Sequence, residues 1–277
     1  MPSLPISARK TLDRPPIRPY SPPAPTRPRA GKAFLMPISE SDQRIGRRYD
    51  ELADLYDASR FGGPFGTFHA GNMLWLIDHL LPKDLKPCRV LDVAAGTGIV
   101  ALHLARQGHE VSATDISEPM VRLGDQKARS MCLKVGFSVG NARELPYPDA
   151  SFDLLVSTMF LYLDWTQEDR LVFMKEMHRV LKPNGLLLLE IMNPFWSSIV
   201  DWYQQFLPER RHTGSTRRET AEYLQGFRTL DGGSCNFPKL GWVHAVSRRL
   251  AAALSRLGRW PPLAWFGLER YLLLQKM

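Results

Sequence analysis

Two glycines in one short segment are suited by type and spacing to hold a small ligand. Gly96 and Gly98 lie in VLDVAAGTGIVALHLARQG, where an apolar run is followed by a turn and then by a helical pattern. Glycines in such a turn let the backbone bend tightly and approach a ligand closely. The free N–H groups of the helix that starts at Ile99 would face an anionic group. The segment therefore predicts a ligand-binding loop.

Two aspartates beside this loop narrow the choice of ligand. Gly96, Gly98 and Ala101 also satisfy the GxGxxG/A pattern of dinucleotide sites, so an NAD-type ligand stays open on the glycines alone. Asp115, at the end of the next apolar run, would accept hydrogen bonds from ribose hydroxyls in either kind of site. Asp92 would repel a pyrophosphate and attract a cation. It therefore favours a nucleoside ligand that carries ammonium and sulfonium groups.

The elements that position these residues alternate between strands and helices. Continuously apolar strands are predicted at CRVLDV, EVSATD, GFSVGNA, FDLLVSTMF and LLLLEI. Helices between them are predicted to start at Ile99, at a Ser117 cap and at a Thr166/Asp169 capping box. This alternation is typical of a parallel sheet covered on both faces, with right-handed crossovers. In such sheets ligands bind beyond the carboxyl ends of the strands.

Further elements flank this core. A helix is predicted from about residue 44, with Tyr49 and Tyr56 on its apolar face, then a break at FGGPFG and a second helix over 69–81. After the fifth strand come a Thr216/Glu219 capping box with a helix ending near residue 226, a strand near 227–230, a helix over about 246–257 and a closing strand RYLLLQK. The prediction is an α/β, Rossmann-like, doubly wound and mostly parallel seven-stranded sheet with helices on both faces and a helical cap.

The basic charge of the chain belongs to its first residues. Of the formal net charge of +8, residues 1–48 contribute +7, and ten of the 22 prolines lie in residues 2–37. Because proline removes backbone donors and favours extended chain, residues 1–43 are predicted to be a disordered tail. The domain is predicted over 44–277, with a substrate-cap insertion over 193–265. A basic arm for membrane or nucleic acid, a transit peptide, and an upstream-start artefact over residues 1–35 stay open as alternatives.

Composition excludes several classes of protein. No apolar run approaches the roughly 20 residues of a membrane-spanning helix. The three cysteines are far apart and form no CxxC pair, so neither a disulfide framework nor a structural zinc site is expected. No metal constellation is visible. A cytoplasmic protein is predicted, and the nearly neutral domain argues against a specific nucleic-acid partner.

Four ordered segments carry a resemblance to a known family. LDVAAGTG, TDIS, GNARELPYPDASFDLLVS and VLKPNGLLLLEI resemble the successive motifs of class I S-adenosylmethionine-dependent methyltransferases. They are most similar to the broad group related to ubiquinone/menaquinone-biosynthesis methyltransferases, and YDELADLYD is similar to that group's first helix. The GLRN-like segment of the quinone enzymes is absent after strand four, where the chain reads TMFLYLDW.

The resemblance implies a role for each matching residue. The cofactor would be S-adenosyl-L-methionine. Its methionine part would lie among Asp92, Ala94, Gly96 and Gly98, and its ribose on Asp115. The remaining implied cofactor contacts are Ile116, Asn141 and Ala142 at the adenine, Ser157 to Met159 beneath the sulfonium, and Tyr49 or Tyr56 closing the pocket. Ala94 replaces the commonest first glycine, and Asn141 stands where an aspartate is usual.

The acceptor is the least determined feature. Aromatic residues of the 193–215 and 236–265 segments suggest a small apolar, aromatic or lipid-like acceptor, with peripheral membrane contact as an open possibility. A general base is needed only if the acceptor must lose a proton, and His69 is the first candidate, with His212 and His244 as others. An RNA or protein methyltransferase and a non-catalytic or NAD-binding protein are the alternatives. The oligomeric state is open.

Overall fold

The computed structural model describes residues 39–193, 215–235 and 269–277. Their helices are α1 (Glu40–Arg60), α2 (Gly63–Leu80), α3 (Ile99–Arg106), α4 (Glu118–Ser130), α5 (Gln167–Val180) and α6 (Arg217–Tyr223). Their strands are β1 (Arg89–Val93), β2 (Glu110–Asp115), β3 (Val135–Val139), β4 (Phe152–Ser157), β5 (Leu181–Met192), β6 (Phe227–Cys235) and β7 (Glu269–Lys276).

All seven strands form one sheet in the order β3-β2-β1-β4-β5-β7-β6. Strands β1 to β5 pair in parallel, whereas β7 runs antiparallel to both β5 and β6. The strand order reverses between β1 and β4, and ligands bind at such a switch point. The predicted doubly wound, mostly parallel seven-stranded sheet is therefore confirmed.

Side-chain caps fix where several helices start. The Ser117 side chain accepts a hydrogen bond from the N–H of Met120, and Thr166 and Thr216 each form a capping box with the residue three positions on. These three caps confirm the predicted starts. Helix α1 begins at Glu40 rather than near residue 44, because Ser39 and Asp42 form a further capping box.

The second helix starts earlier than predicted. FGGPFG was expected to separate the helices up to residue 69, but α2 begins at Gly63 with a proline in its first turn. Proline fits there because the first N–H groups of a helix have no intrahelical partner, so the segment starts a helix as well as ending one. At the other end of the chain, β6 reaches Cys235, beyond the predicted 227–230.

Hydrophobic side chains bury both faces of the sheet. One cluster joins α5 to one face through residues such as Phe152, Leu155 and Phe173. The other joins α2 and α3 to the opposite face through Met73, Ile77 and further aliphatic residues. The sheet is thus covered on both faces, and its C-terminal edge is left to carry a site.

Several predictions lie outside the described residues. They include the tail up to residue 38, the aromatic cap segments, the helix over 246–257, and His212 and His244. In the part of the chain that the structure describes, no helix is long and apolar enough to cross a membrane. Within the same residues, no group of three or more His, Cys, Asp or Glu side chains is placed to hold a metal ion.

Candidate functional site

A cavity lies at the C-terminal edge of the sheet, where β4, β1, β2 and β3 end. Its empty space, including part open to solvent, is about 820 Å³, which is within the range of small-molecule sites. Helix α1 and the residues after β4 cover it. Nine of the sequence-predicted cofactor residues line it: Tyr49, Asp92, Ala94, Gly96, Asp115, Ile116, Asn141, Ala142 and Met159.

The turn after β1 is held in a left-handed backbone conformation. The φ angles of Ala94, Gly96 and Gly98 are 58°, 54° and 82°. Only glycine adopts such angles without strain, so Ala94 carries a cost that a glycine would not. Gly98 lies behind the cavity wall, where a Cβ would come within 2.5 Å of the Phe137 ring. Its role in this structure is to let the turn pack against β3.

Asp92 places a buried carboxyl group at the wall of the cavity. Its side chain is fully buried in β1, and Oδ2 accepts a hydrogen bond from the N–H of Ala101 at 3.0 Å. Burial, aided by the nearby Asp115 carboxyl and opposed by the Ala101 N–H hydrogen bond, raises the pKa of Asp92 to about 8. A cationic group bound in the cavity would favour the ionised form and lower this pKa again.

Asp115 holds the turn and faces the same cavity. Its Oδ2 accepts from the N–H of Gly96 at 2.7 Å, and Oδ1 accepts from the N–H of Ser117 at 2.9 Å. Burial raises the pKa of Asp115, while these backbone donors oppose the shift. Because each carboxylate oxygen has a second lone pair, the group can still accept from a ligand hydroxyl.

An ion-pair network ties the start of α1 to the loop after β3. Arg143 pairs with Asp42 of α1 at 2.8 Å and with Asp169 of α5. Asn141 donates from Nδ2 to Asp42 Oδ2 at 3.0 Å, and its Oδ1 accepts from the N–H of Arg143 at 2.9 Å. This network fixes α1 over the end of the cavity next to β3.

A second set of contacts holds the far half of α1 over the turn. Asp57 accepts from Thr97 Oγ1 at 2.6 Å and pairs with Lys127 of α4. The rings of Tyr49 and Tyr56 lie edge to face at 6.0 Å, and burial raises the pKa of both phenols. Both rings line the cavity, so α1 shields it from water.

The segment after β4 closes the opposite end. Met159 donates its N–H to Glu190 Oε2 at 2.9 Å, and Arg60 Nη2 contacts Met159 Sδ at 3.5 Å. Burial, and then the neighbouring Glu269, raise the pKa of Glu190 to about 8. Ser157 does not line the cavity and donates from Oγ to the carbonyl of Val93 at 3.1 Å.

The sequence of the chain is similar to sequences of known methyltransferases. A methyltransferase domain family matches residues 90–185. The chain is 29% identical over 230 residues to a ubiquinone/menaquinone biosynthesis C-methyltransferase of Methylobacterium nodulans, covering 78% of this chain and 87% of that protein. It is 39% identical over 131 residues to a demethylmenaquinone methyltransferase of Deinococcus radiodurans, covering 44% and 52% respectively. The chain is an S-adenosylmethionine-dependent methyltransferase.

Solved structures share the fold of this methyltransferase. Magnesium protoporphyrin IX methyltransferase from Synechocystis, with bound S-adenosylhomocysteine, superposes with a TM-score of 0.61 at 17% identity, covering 85% of this chain and 100% of that one. A methyltransferase from Methanosarcina mazei gives a TM-score of 0.53 at 24% identity, covering 73% and 96%. The cofactor of the enzyme is S-adenosyl-L-methionine. The buried carboxyl group of Asp92 and the half-buried carboxyl group of Asp115 lie beside a glycine turn in one cavity, and they fit a ligand with an ammonium group and a ribose.

His69, predicted as the general base, lies apart from the cavity lining of the methyltransferase. It is buried on α2, and its Nδ1 is 3.9 Å from Glu269 Oε2 on β7. Tyr162 is also buried, and its hydroxyl accepts from Arg60 Nη2 at 3.2 Å. A base role for His69 stays a prediction.

Sequence reasoning missed three residues of this region: Asp42, Arg143 and Glu190. Glu190 could have been noticed as the single charged residue within the apolar run LLLLEI. Asp42 showed only a capping pattern, because its contacts with Asn141 and Arg143 join residues about a hundred positions apart.

Proposed function

We propose that the methyltransferase methylates a small, lipophilic aromatic acceptor of the quinol type. Its relatives include enzymes of ubiquinone and menaquinone biosynthesis. In the described residues, the aromatic and apolar side chains that line the cavity include Tyr49, Tyr56, Phe61 and Met159.

The observation that carries the assignment of a methyl-donor site is the placement of Asp92 and Asp115 in one cavity at the switch point of the sheet. We assign Asp92, Ala94 and Gly96 to the methionine part of the cofactor, and Asp115 to its ribose hydroxyls. Ile116, Asn141 and Ala142 are assigned to the adenine, and Met159 to the sulfonium end. Gly98 and Ser157 support these residues from behind, through Phe137 and the Val93 carbonyl.

The residues that line the cavity would align the acceptor with the methyl donor and exclude water from the site. When bound, S-adenosylmethionine supplies a methyl group that is already activated as a sulfonium substituent. An in-line displacement then needs the acceptor nucleophile held close to that group in a water-poor site. Tyr49 and Tyr56 of α1 cover the cavity, while Met159, fixed by Glu190, forms its wall on the β4 side.

Calorimetric titration with S-adenosylhomocysteine tests the cofactor assignment. The wild type should bind saturably and should not bind NAD. Asp115→Asn should weaken binding by about tenfold or more, because a hydrogen bond to a charged group contributes about 1.5–3 kcal/mol. Asp125→Asn is the matched control, since Asp125 lies on α4 in a surface pair with Arg129. Binding of NAD, or equal affinity of the two variants, would contradict the assignment.

Transfer of a tritiated methyl group tests the acceptor class. Separate incubations of the enzyme with labelled S-adenosylmethionine each contain one acceptor: demethylmenaquinol in detergent, a hydrophilic catechol, total RNA or a protein extract. We expect organic-extractable label with the quinol alone. Label in RNA or protein would refute the small-molecule acceptor, and transfer to the hydrophilic catechol at the same rate would refute the lipophilic one.

A further inference from the structure

Asp42 has one carboxylate oxygen that accepts no hydrogen bond from the described part of the chain. The side chain is buried, with 1% of its surface exposed, and its Oδ2 accepts from Asn141 Nδ2, Arg143 Nε and the N–H of Ser39. Its Oδ1 is buried and has no hydrogen-bond partner among the described residues. A buried carboxylate oxygen without a donor is costly, so its retention in a cavity wall calls for a ligand donor.

The position of Asp42 along the cavity indicates which part of a ligand it meets. The cavity follows the strand ends in the order β4, β1, β2 and β3. A ribose held by Asp115 at the end of β2 leaves its base to extend toward β3, where Gly140, Asn141 and Ala142 line the cavity. Asp42 lines the same end, because Arg143 and Asn141 bind it there.

The amide of Asn141 is already engaged by the protein. Its Oδ1 accepts from the N–H of Arg143, and its Nδ2 donates to Asp42. The β3 loop offers only the neutral amide of Asn141 at this end, so the charged acceptor there is supplied by α1. Asn141 orients this carboxylate, and Arg143 balances its charge through Oδ2.

We propose that Asp42 Oδ1 accepts a hydrogen bond from the exocyclic amino group of the adenine and thereby selects adenine over purines that lack this group. This inference rests on the proposed cofactor site. Selection of the nucleobase would then depend on a residue of α1, the helix that also covers the cavity.

The direct test compares two ligands on the wild-type protein. S-adenosylhomocysteine and its analogue with unsubstituted purine in place of adenine differ only in the 6-amino group. A hydrogen bond to a buried carboxylate predicts a preference of about 10- to 100-fold for the adenine ligand in calorimetric titration. Equal affinities would overturn the inference and leave the proposed cofactor intact. Failure of the folded protein to bind either ligand would instead contradict the proposed cofactor site.

Two matched variants separate recognition from structure. Asp42 and Asp169 are both the third residue of a helix in a capping box, and both pair with Arg143, but Asp169 does not line the cavity. Asp42→Asn should reduce the preference for the adenine ligand to threefold or less, whereas Asp169→Asn should keep it. Loss of the preference in both variants, or in neither, would refute the role of Asp42. If Asp42→Asn does not fold, equal affinities of the wild type for the two ligands still overturn the inference.

Discussion

Replacing Gly98 by alanine should destabilise the enzyme by about 2–5 kcal/mol. The left-handed φ of 82° accounts for about 1–2 kcal/mol of this loss. The added Cβ would lie 2.5 Å from Phe137 Cζ, and the ring has little room to move because Gly124 of α4 also lies close to it. Overpacking of this kind costs about 1–3 kcal/mol.

Gly96→Ala is the matched comparison, because it shares the positive φ without the crowding. Its nearest neighbour would be Tyr56 Cε1 at 3.9 Å, so only the backbone cost of about 1–2 kcal/mol applies. Urea unfolding of both variants, followed by circular dichroism, measures the difference. The double variant Gly98→Ala with Phe137→Leu should recover part of the loss. Equal stability of the two alanine variants would refute this account of the Phe137 contact.

Three further predictions follow from the site. Because the pKa of Asp92 is raised, the folded enzyme keeps a proton that the unfolded chain releases, so the unfolding free energy of the ligand-free enzyme should fall as the pH rises from about 4 to 8. Asp92→Asn should flatten this pH dependence in urea titrations. An unchanged slope would contradict the prediction. Arg143→Ala leaves buried carboxylates uncompensated and should cost about 3–5 kcal/mol by urea unfolding, whereas the exposed Arg129→Ala should change stability by less than about 1 kcal/mol; similar losses would count against the network. Asp57→Ala removes the contacts of α1 with Thr97 and Lys127 and should speed release of S-adenosylhomocysteine about three- to tenfold in stopped-flow displacement, a result that an unchanged rate would exclude.

Local patterns were sufficient to predict most of the core. The five parallel strands and the caps at Ser117, Thr166 and Thr216 depend on short-range apolar runs and on side chains that bond within three residues. The strand-end rule for parallel sheets also explains why Asp92 and Asp115 could be expected to meet in one place.

Features that depend on long-range pairing could not be predicted in this way. No local pattern shows that Asp42 would contact Arg143 about a hundred residues later, or that the amide of Asn141 would donate a hydrogen bond to Asp42. The start of α2 was missed for a different reason. Proline is found both after the end of a helix and in the first turn of one, and the FGGPFG segment alone does not show which of the two applies.

The place of β7 in the sheet has a consequence for biosynthesis. Strand β5 lies between β4 and β7, and β7 is formed by residues 269–276 near the end of the chain. In this pairing Leu186 lies opposite Gln275, and Met192 lies opposite Glu269. During translation the apolar β5 therefore leaves the ribosome long before its partner exists, and it presents an open edge in the meantime. Nascent chains halted before residue 269 should consequently bind chaperones that recognise extended apolar segments, and release from them should follow completion of β7.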